Sequence, residues 1–311
     1  MATPSTTSAD SDRRSGPSIP SSFTDGIDVA VSRPWLALVP FVVGLLSVDQ
    51  LERAARSDVT VQVNFGLPTP VAGLWTFLNA PANGISVFGY SATAVRDEPV
   101  LLGGSVLVAA GTLLVVGLLG AVYLGAIDDA LAGRPTDHLD NLRRYAPITV
   151  AFAGLQFLGI VAFVFVAVAF AGIGVLTGGS ALAVVPVFLA SLVGFYLLTP
   201  GVYAGVAADL DPRPAFARGV RVALDAEYLV FALGFALAVA VCSVPVSALG
   251  FSAGLPGLVL AAVLAAPVGL ALNAATMAFV RGRVGAAAPD PGGSDGPTPA
   301  VRRVSPPDDR E

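Results

Sequence analysis

The chain contains no lysine, one histidine and one cysteine in 311 residues. The lone Cys242 excludes an intramolecular disulfide. With His138 as the only imidazole, a structural zinc cluster is not expected either. Charge is scarce too: 13 % of residues are charged against 55 % hydrophobic, and mean hydropathy is +0.77. A water-soluble domain cannot hide that much apolar surface. Residues 1–20 lack an apolar stretch, so no cleavable signal peptide is expected and the first span should do the targeting. Net charge is −5, and nucleic acid is not an expected partner.

Long charge-free tracts are what the chain has instead. Residues 145–208 lack any charged side chain over 64 positions, residues 228–280 over 53, and residues 99–127 over 29. About 20 apolar residues cross a bilayer, so the first two tracts each hold two spans and the third holds one tilted span. Residues 34–48 offer only 15 uncharged positions between Arg33 and Asp49. We count them as a span because Arg33 can reach the interface on its long stem and apolar residues continue upstream through Ile27, Val29 and Val31. A re-entrant or interfacial segment is the alternative. The fold expected is all-α: a polytopic bundle of six transmembrane helices over residues 22–284, with an external loop at 49–98. The tails, 1–21 and 285–311, are rich in Ser, Pro, Gly and Asp and are expected to be disordered.

Arginine placement predicts the orientation. Six spans leave 14 of the 17 arginines on one side, including Arg33, Arg134, Arg143, Arg144, Arg213, Arg218, Arg221, Arg281 and Arg283. Arg53, Arg56 and Arg96 alone fall on the other side. The positive-inside rule then puts both termini in the cytoplasm of a cell-membrane protein.

Each pair of spans is also preceded by a short amphipathic stretch. Phe23, Gly26, Ile27, Ala30, Val31, Trp35 and Leu36 align without gaps on Phe216, Gly219, Val220, Ala223, Leu224, Tyr228 and Leu229. Apolar residues at i, i+4 and i+8 make one stripe in both copies, as expected of an interfacial helix. Ser22 with Asp25 reads as a capping arrangement for the first, and Asp211 before Pro212 as the start of the third. The middle stretch, with Leu139, Leu142 and Tyr145, is the poorest copy. Tyr123, Gly125, Asp129, Arg134 and Pro135 correspond to Tyr203, Gly205, Asp209, Arg213 and Pro214. The chain thus reads as three helical hairpins, chance similarity among Ala-, Val- and Leu-rich helices being the alternative.

Within the loop, Val59, Val61, Val63 and Phe65 alternate with Thr60, Gln62 and Asn64, a strand signal. The run 71–78, with Trp75 and Phe77, is expected to lie on the membrane surface as a short helix, and residues 85–90 are expected to form a second strand. The loop serves either as a cap that receives a ligand or, the simpler reading, as a cover closing the helix ends.

No catalytic, metal or cofactor motif emerges. Gly172, Gly174, Gly178 and Gly179 sit in an apolar span and its turn without a downstream lysine, so they make no phosphate loop. Gly201 and Gly205 form a G-x-x-x-G pair that lets a helix approach closely. The acidic pairs Asp128/Asp129, Asp137/Asp140 and Asp209/Asp211 are expected to cap helices and pair with arginine, rather than to hold a cation or head group. His138 is expected on the solvated side of its loop. The five spans in the long charge-free tracts contain no ionisable acid or base. Gln156 and Asn273 are the candidate intramembrane polar positions, and Arg33, Arg143, Arg144, Arg218 and Arg221 the candidate contacts to lipid head groups.

The segment YLGAIDDALAGRP at residues 123–135, followed by the polar stretch 136–144, resembles uncharacterised haloarchaeal six-span integral membrane proteins. The acidic, all-arginine composition is similar to that of halophilic archaeal proteomes. A more distant likeness is to the membrane domain attached to some glycerophosphodiester phosphodiesterases, but the soluble domain with its acidic metal site is not present in this sequence. The resemblance implies no catalytic residue. The sequence therefore points to a non-enzymatic membrane protein that organises lipid or binds partners. Membrane lipids are the expected partners, and other membrane proteins or further copies of the chain are additional ones. The alternative is a transporter or permease component for a small solute.

Overall fold

The structure, a computed structural model, describes residues 17–79, 86–87, 90–91, 99–172 and 185–286. The three tracts without charge become five long helices: α5 (Pro99–Leu131), α6 (His138–Gly172), α7 (Val185–Ala207), α9 (Ala226–Ser252) and α10 (Gly254–Ala286). Each contains a stretch long and apolar enough to cross a membrane, so the chain is a multi-pass helical membrane protein. Their lipid-facing surfaces follow the helical period. On α9, Leu233, Leu237 and Val241 point outward while Phe231, Phe235 and Val239 are buried. In hydrocarbon the outward set costs nothing, so packing rather than burial from water must hold the bundle together.

Local chemistry sets the ends. Gly133 adopts a left-handed φ of 65° two residues past α5, where the absence of a Cβ makes the conformation cheap. Asp137 then accepts the Leu139 and Asp140 amides at the start of α6. Helices α9 and α10 meet at a corner in which Gly254 has φ 59°. The turn expected near Gly178, with Gly174 and Gly179, lies outside the described residues, as does most of both tails.

The first expected span is shorter and broken. Helix α1 (Ile19–Ser32) bends by 95° at Arg33 into the segment Pro34–Leu46, whose helical part is α2 (Leu38–Leu46). The 13 residues of that segment rise about 20 Å, less than the hydrocarbon thickness. The bent pair adds a sixth span only if it is counted as one. A further turn of helix, α3 (Val48–Ala55), follows and buries Leu51 with Leu258 of α10. Helix α1 begins three residues before the boundary drawn at residue 22. Ser18, not Ser22, caps it by accepting the Ser21 amide, and Ser22 is buried within the helix. The middle amphipathic stretch is no separate helix but the opening turns of α6. The third is α8 (Pro212–Ala223), which starts after Asp211 although that carboxylate makes no capping bond.

The segment 49–98 departs most from expectation. Residues 59–65, expected as a strand, join no ladder, and from Val61 onward the expected alternation is inverted. Val61, Val63 and Phe65 face outward, more than half exposed, while Gln62 and Asn64 are half-buried. The chain runs down α9: Gln62 exchanges backbone bonds with the Ser247 hydroxyl, the Asn64 amide donates to Ser243, and Gly66 touches Val239. Further on, the Thr69 carbonyl accepts from Tyr203 of α7, and Asn273 of α10 binds both the Pro70 carbonyl and the Ala72 amide. The chain then turns back through α4 (Leu74–Phe77), and Leu78 returns to Gly250 near the far end of α9. Residues 59–78 therefore thread between helices instead of only closing their ends. Leu74, Phe77 and Leu78 are buried, so the run 71–78 is not a surface helix. At 85–90, Ser86–Val87 pairs antiparallel with Tyr90–Ser91 as two-residue strands, β1 and β2.

Candidate functional site

The amphipathic helices α1 and α8 each have three sides. Ser22, Gly26 and Val29 on α1, and Ala215, Gly219 and Val222 on α8, are the buried sides. Gly26 lies on Ala271 and Ala275 of α10, where a Cβ would come within 2.3 Å of the Ala271 carbonyl oxygen. Gly219 lies on Pro200 and Gly201 of α7, where a Cβ would be 2.2 Å from the Gly201 nitrogen. Only glycine permits either approach. Next round each helix comes the apolar stripe read from the sequence, Phe23, Ile27 and Val31 or Phe216, Val220 and Leu224. It is partly packed at its first member and well exposed at Val31 and Leu224. The third side is polar and of opposite charge in the two helices: Asp25 and Asp28 on α1, Arg218 and Arg221 on α8.

The five arginine candidates separate by what they already bind. Arg33 donates to the Thr136 hydroxyl at 3.2 Å. Arg144 is ion-paired to Asp209, whose carboxyl it holds below the usual carboxylate range through their hydrogen bond. Arg143, Arg218 and Arg221 make no hydrogen bond or ion pair among the described residues. Two of these, Arg143 and Arg221, are exposed and Arg218 is half-buried.

Of the acidic pairs, Asp128 and Asp129 are both occupied, Asp137 caps α6 and Asp209 holds Arg144, whereas the Asp140 and Asp211 carboxylates make no hydrogen bond or ion pair among the described residues. Asp128 binds Arg134 at 2.7 Å and Arg281 at 3.2 Å, while Asp129 binds Arg134 and the Asn141 side-chain amide. Arg283 pairs with Asp225 and Glu227 and lies over the Phe279 ring. Phe279 continues into a stack with Phe231 and Phe23, joining α10, α9 and α1. His138 is exposed and meets Trp35 edge-on. Among the described residues no group of His, Cys, Asp or Glu is placed to hold a metal ion.

The two intramembrane candidates have different fates. Asn273 is fully buried, and its amide is spent on the threaded backbone and the Tyr123 hydroxyl. Gln156 instead borders two neighbouring chambers between α5, α6 and α7, of about 540 and 190 Å³. The larger is lined mainly by Leu, Phe, Ile and Gly, and the smaller reaches Thr69 and Pro70 at the tip of the threaded segment. Among the described residues, none that lines either chamber is charged.

Sequence reading missed the role of Ser243, Ser247 and Asn273 as partners of a non-helical backbone. The available signal was three side chains able to bond a backbone, placed in otherwise apolar tracts, together with a prolyl segment too short to span. Comparison with known protein families, with curated proteins and with solved structures gives no match.

Proposed function

We propose that this is a non-enzymatic cell-membrane protein that binds anionic lipid head groups at its arginine-bearing end, with both termini cytoplasmic. The observation that carries the reading is the polar side of α8. Arg218 and Arg221 make no hydrogen bond or ion pair among the described residues, and they flank an apolar stripe ending in Leu224, 73 % exposed. A helix of this kind lies in the interface with its stripe in the acyl region and its cations among phosphates. Six spans in three related hairpins fit the proposal. Gly26 and Gly219, paired in the sequence, make equivalent close crossings, and Tyr123 and Tyr203 are both buried beside the threaded segment's contacts.

The test is binding of the purified protein, in nanodiscs or detergent, to anionic and zwitterionic lipid. Changing Arg218 and Arg221 together to Gln is expected to weaken anionic-lipid binding about thirtyfold, at about 1 kcal/mol per cation near the surface, and to leave zwitterionic binding alone. Equal anionic-lipid binding by both proteins would remove the reading. A permease component for a small solute is the second reading, favoured by the threaded segment between helices. Against it, Asn273 is occupied and the Gln156 chambers carry mainly apolar walls.

A further inference from the structure

Gln156 presents a primary amide at the junction of the two chambers, where hydrocarbon surrounds the helices. It makes no hydrogen bond among the described residues, although an amide carries two N–H donors and a carbonyl acceptor. Leaving such a group without a partner in an apolar setting costs several kcal/mol. Nearby polar atoms do not relieve it: neither the Thr149 hydroxyl, which donates to the Tyr145 and Ala146 carbonyls, nor the Thr69 carbonyl, which accepts from Tyr203, is hydrogen-bonded to the Gln156 amide. The site therefore lacks a hydrogen-bonding partner that something else must supply.

The larger chamber indicates what that is. Its volume of 540 Å³ lies in the range of small-molecule sites. Leu155, Leu192 and Phe188 on its walls are 40 %, 41 % and 57 % exposed, so the chamber opens onto the surface that faces lipid. Gly159 and Gly194 line it with nothing within 4 Å of where a Cβ would stand. The cleft is thus open because two side chains are missing from it. With no charge among the described residues that line either chamber, an ionic head group would meet no counter-charge there and enter at high cost.

We infer that the cleft between α5, α6 and α7 binds a neutral amphiphilic lipid, its single chain between α6 and α7 and its hydroxyl or carbonyl hydrogen-bonded to the Gln156 amide. The chain enters sideways from the bilayer, where such molecules are concentrated. This does not rest on head-group binding at α8, which concerns anions at the membrane surface.

The probe is hexadecanol carrying a mid-chain diazirine, photolysed with the full-length protein in phosphatidylcholine nanodiscs and mapped by peptide mass spectrometry. Labels are expected on α6 around 152–160 and on α7 around 188–198, and excess unlabelled hexadecanol removes them. Gln156→Leu keeps the volume and lowers labelling about tenfold, the worth of one buried hydrogen bond. Gly194→Phe fills the cleft and abolishes it, and Gly159→Leu does the same should the first variant fail to fold. A probe with the same chain and a trimethylammonium head labels these peptides weakly. Labelling that does not fall in the filled variants overturns the inference. So does labelling spread evenly onto the Leu233 face of α9, or a lack of competition by unlabelled alcohol.

Discussion

Asn273 illustrates how a polar residue in a hydrophobic helix can serve the backbone. Its side chain takes the place of a missing strand or helix partner for Pro70 and Ala72. Replacing it with Leu orphans two backbone groups and the Tyr123 hydroxyl, at about 1–3 kcal/mol for each buried group. We predict a markedly lower thermal midpoint for Asn273→Leu in detergent, whereas Leu237→Ala on the lipid-facing side of α9 changes it little. Similar midpoints for the two variants would show that the contact is not structural. From sequence, Asn273 and Gln156 looked alike, two amides in apolar tracts. What separates them is a segment 203 residues away from Asn273, and no local pattern carries that information.

At the scale of elements, the long helices were legible because lack of charge over more than 20 residues leaves a helix in lipid as the only satisfied backbone. The short elements were less so. The alternation at 59–65 reads as a strand, yet the residues join no ladder, and period 2 does not say which side faces inward. Here hydrocarbon surrounds the apolar set while Gln62 and Asn64 serve the interior. The stripe on α8 was visible, but Gly219, not the stripe, forms its main contact with α7. Gly219→Ala is predicted to cost about 1–3 kcal/mol, because the new Cβ meets backbone that cannot swing away. Gly194→Ala, placed in open space, should instead gain a few tenths up to about 1 kcal/mol from helix propensity. Thermal unfolding of both variants checks the pair, and an unaffected Gly219→Ala would show that α8 does not seat on α7 in this way.

For the whole molecule, the ion pairs Asp128–Arg281, Arg144–Asp209 and Arg283–Asp225 all tie the arginine-bearing ends of the helices together. Charges that count towards orientation in the sequence thus also tie neighbouring elements to one another. A reporter fused after Glu311 is predicted to remain in the cytoplasm, and a tag beside Asn83 to be reached from outside intact cells. An exported reporter would reverse the orientation.

The threaded segment also imposes an order in time. Residues 59–78 leave the ribosome long before Ser243, Ser247 and Asn273, which lie 179 to 203 positions further along the chain in the contacts they make. Until those helices arrive, its open backbone has no acceptable place in hydrocarbon and must wait in water or in the insertion machinery. Membrane insertion of this chain therefore cannot be strictly sequential: an early segment takes its seat only after the last two helices have been made.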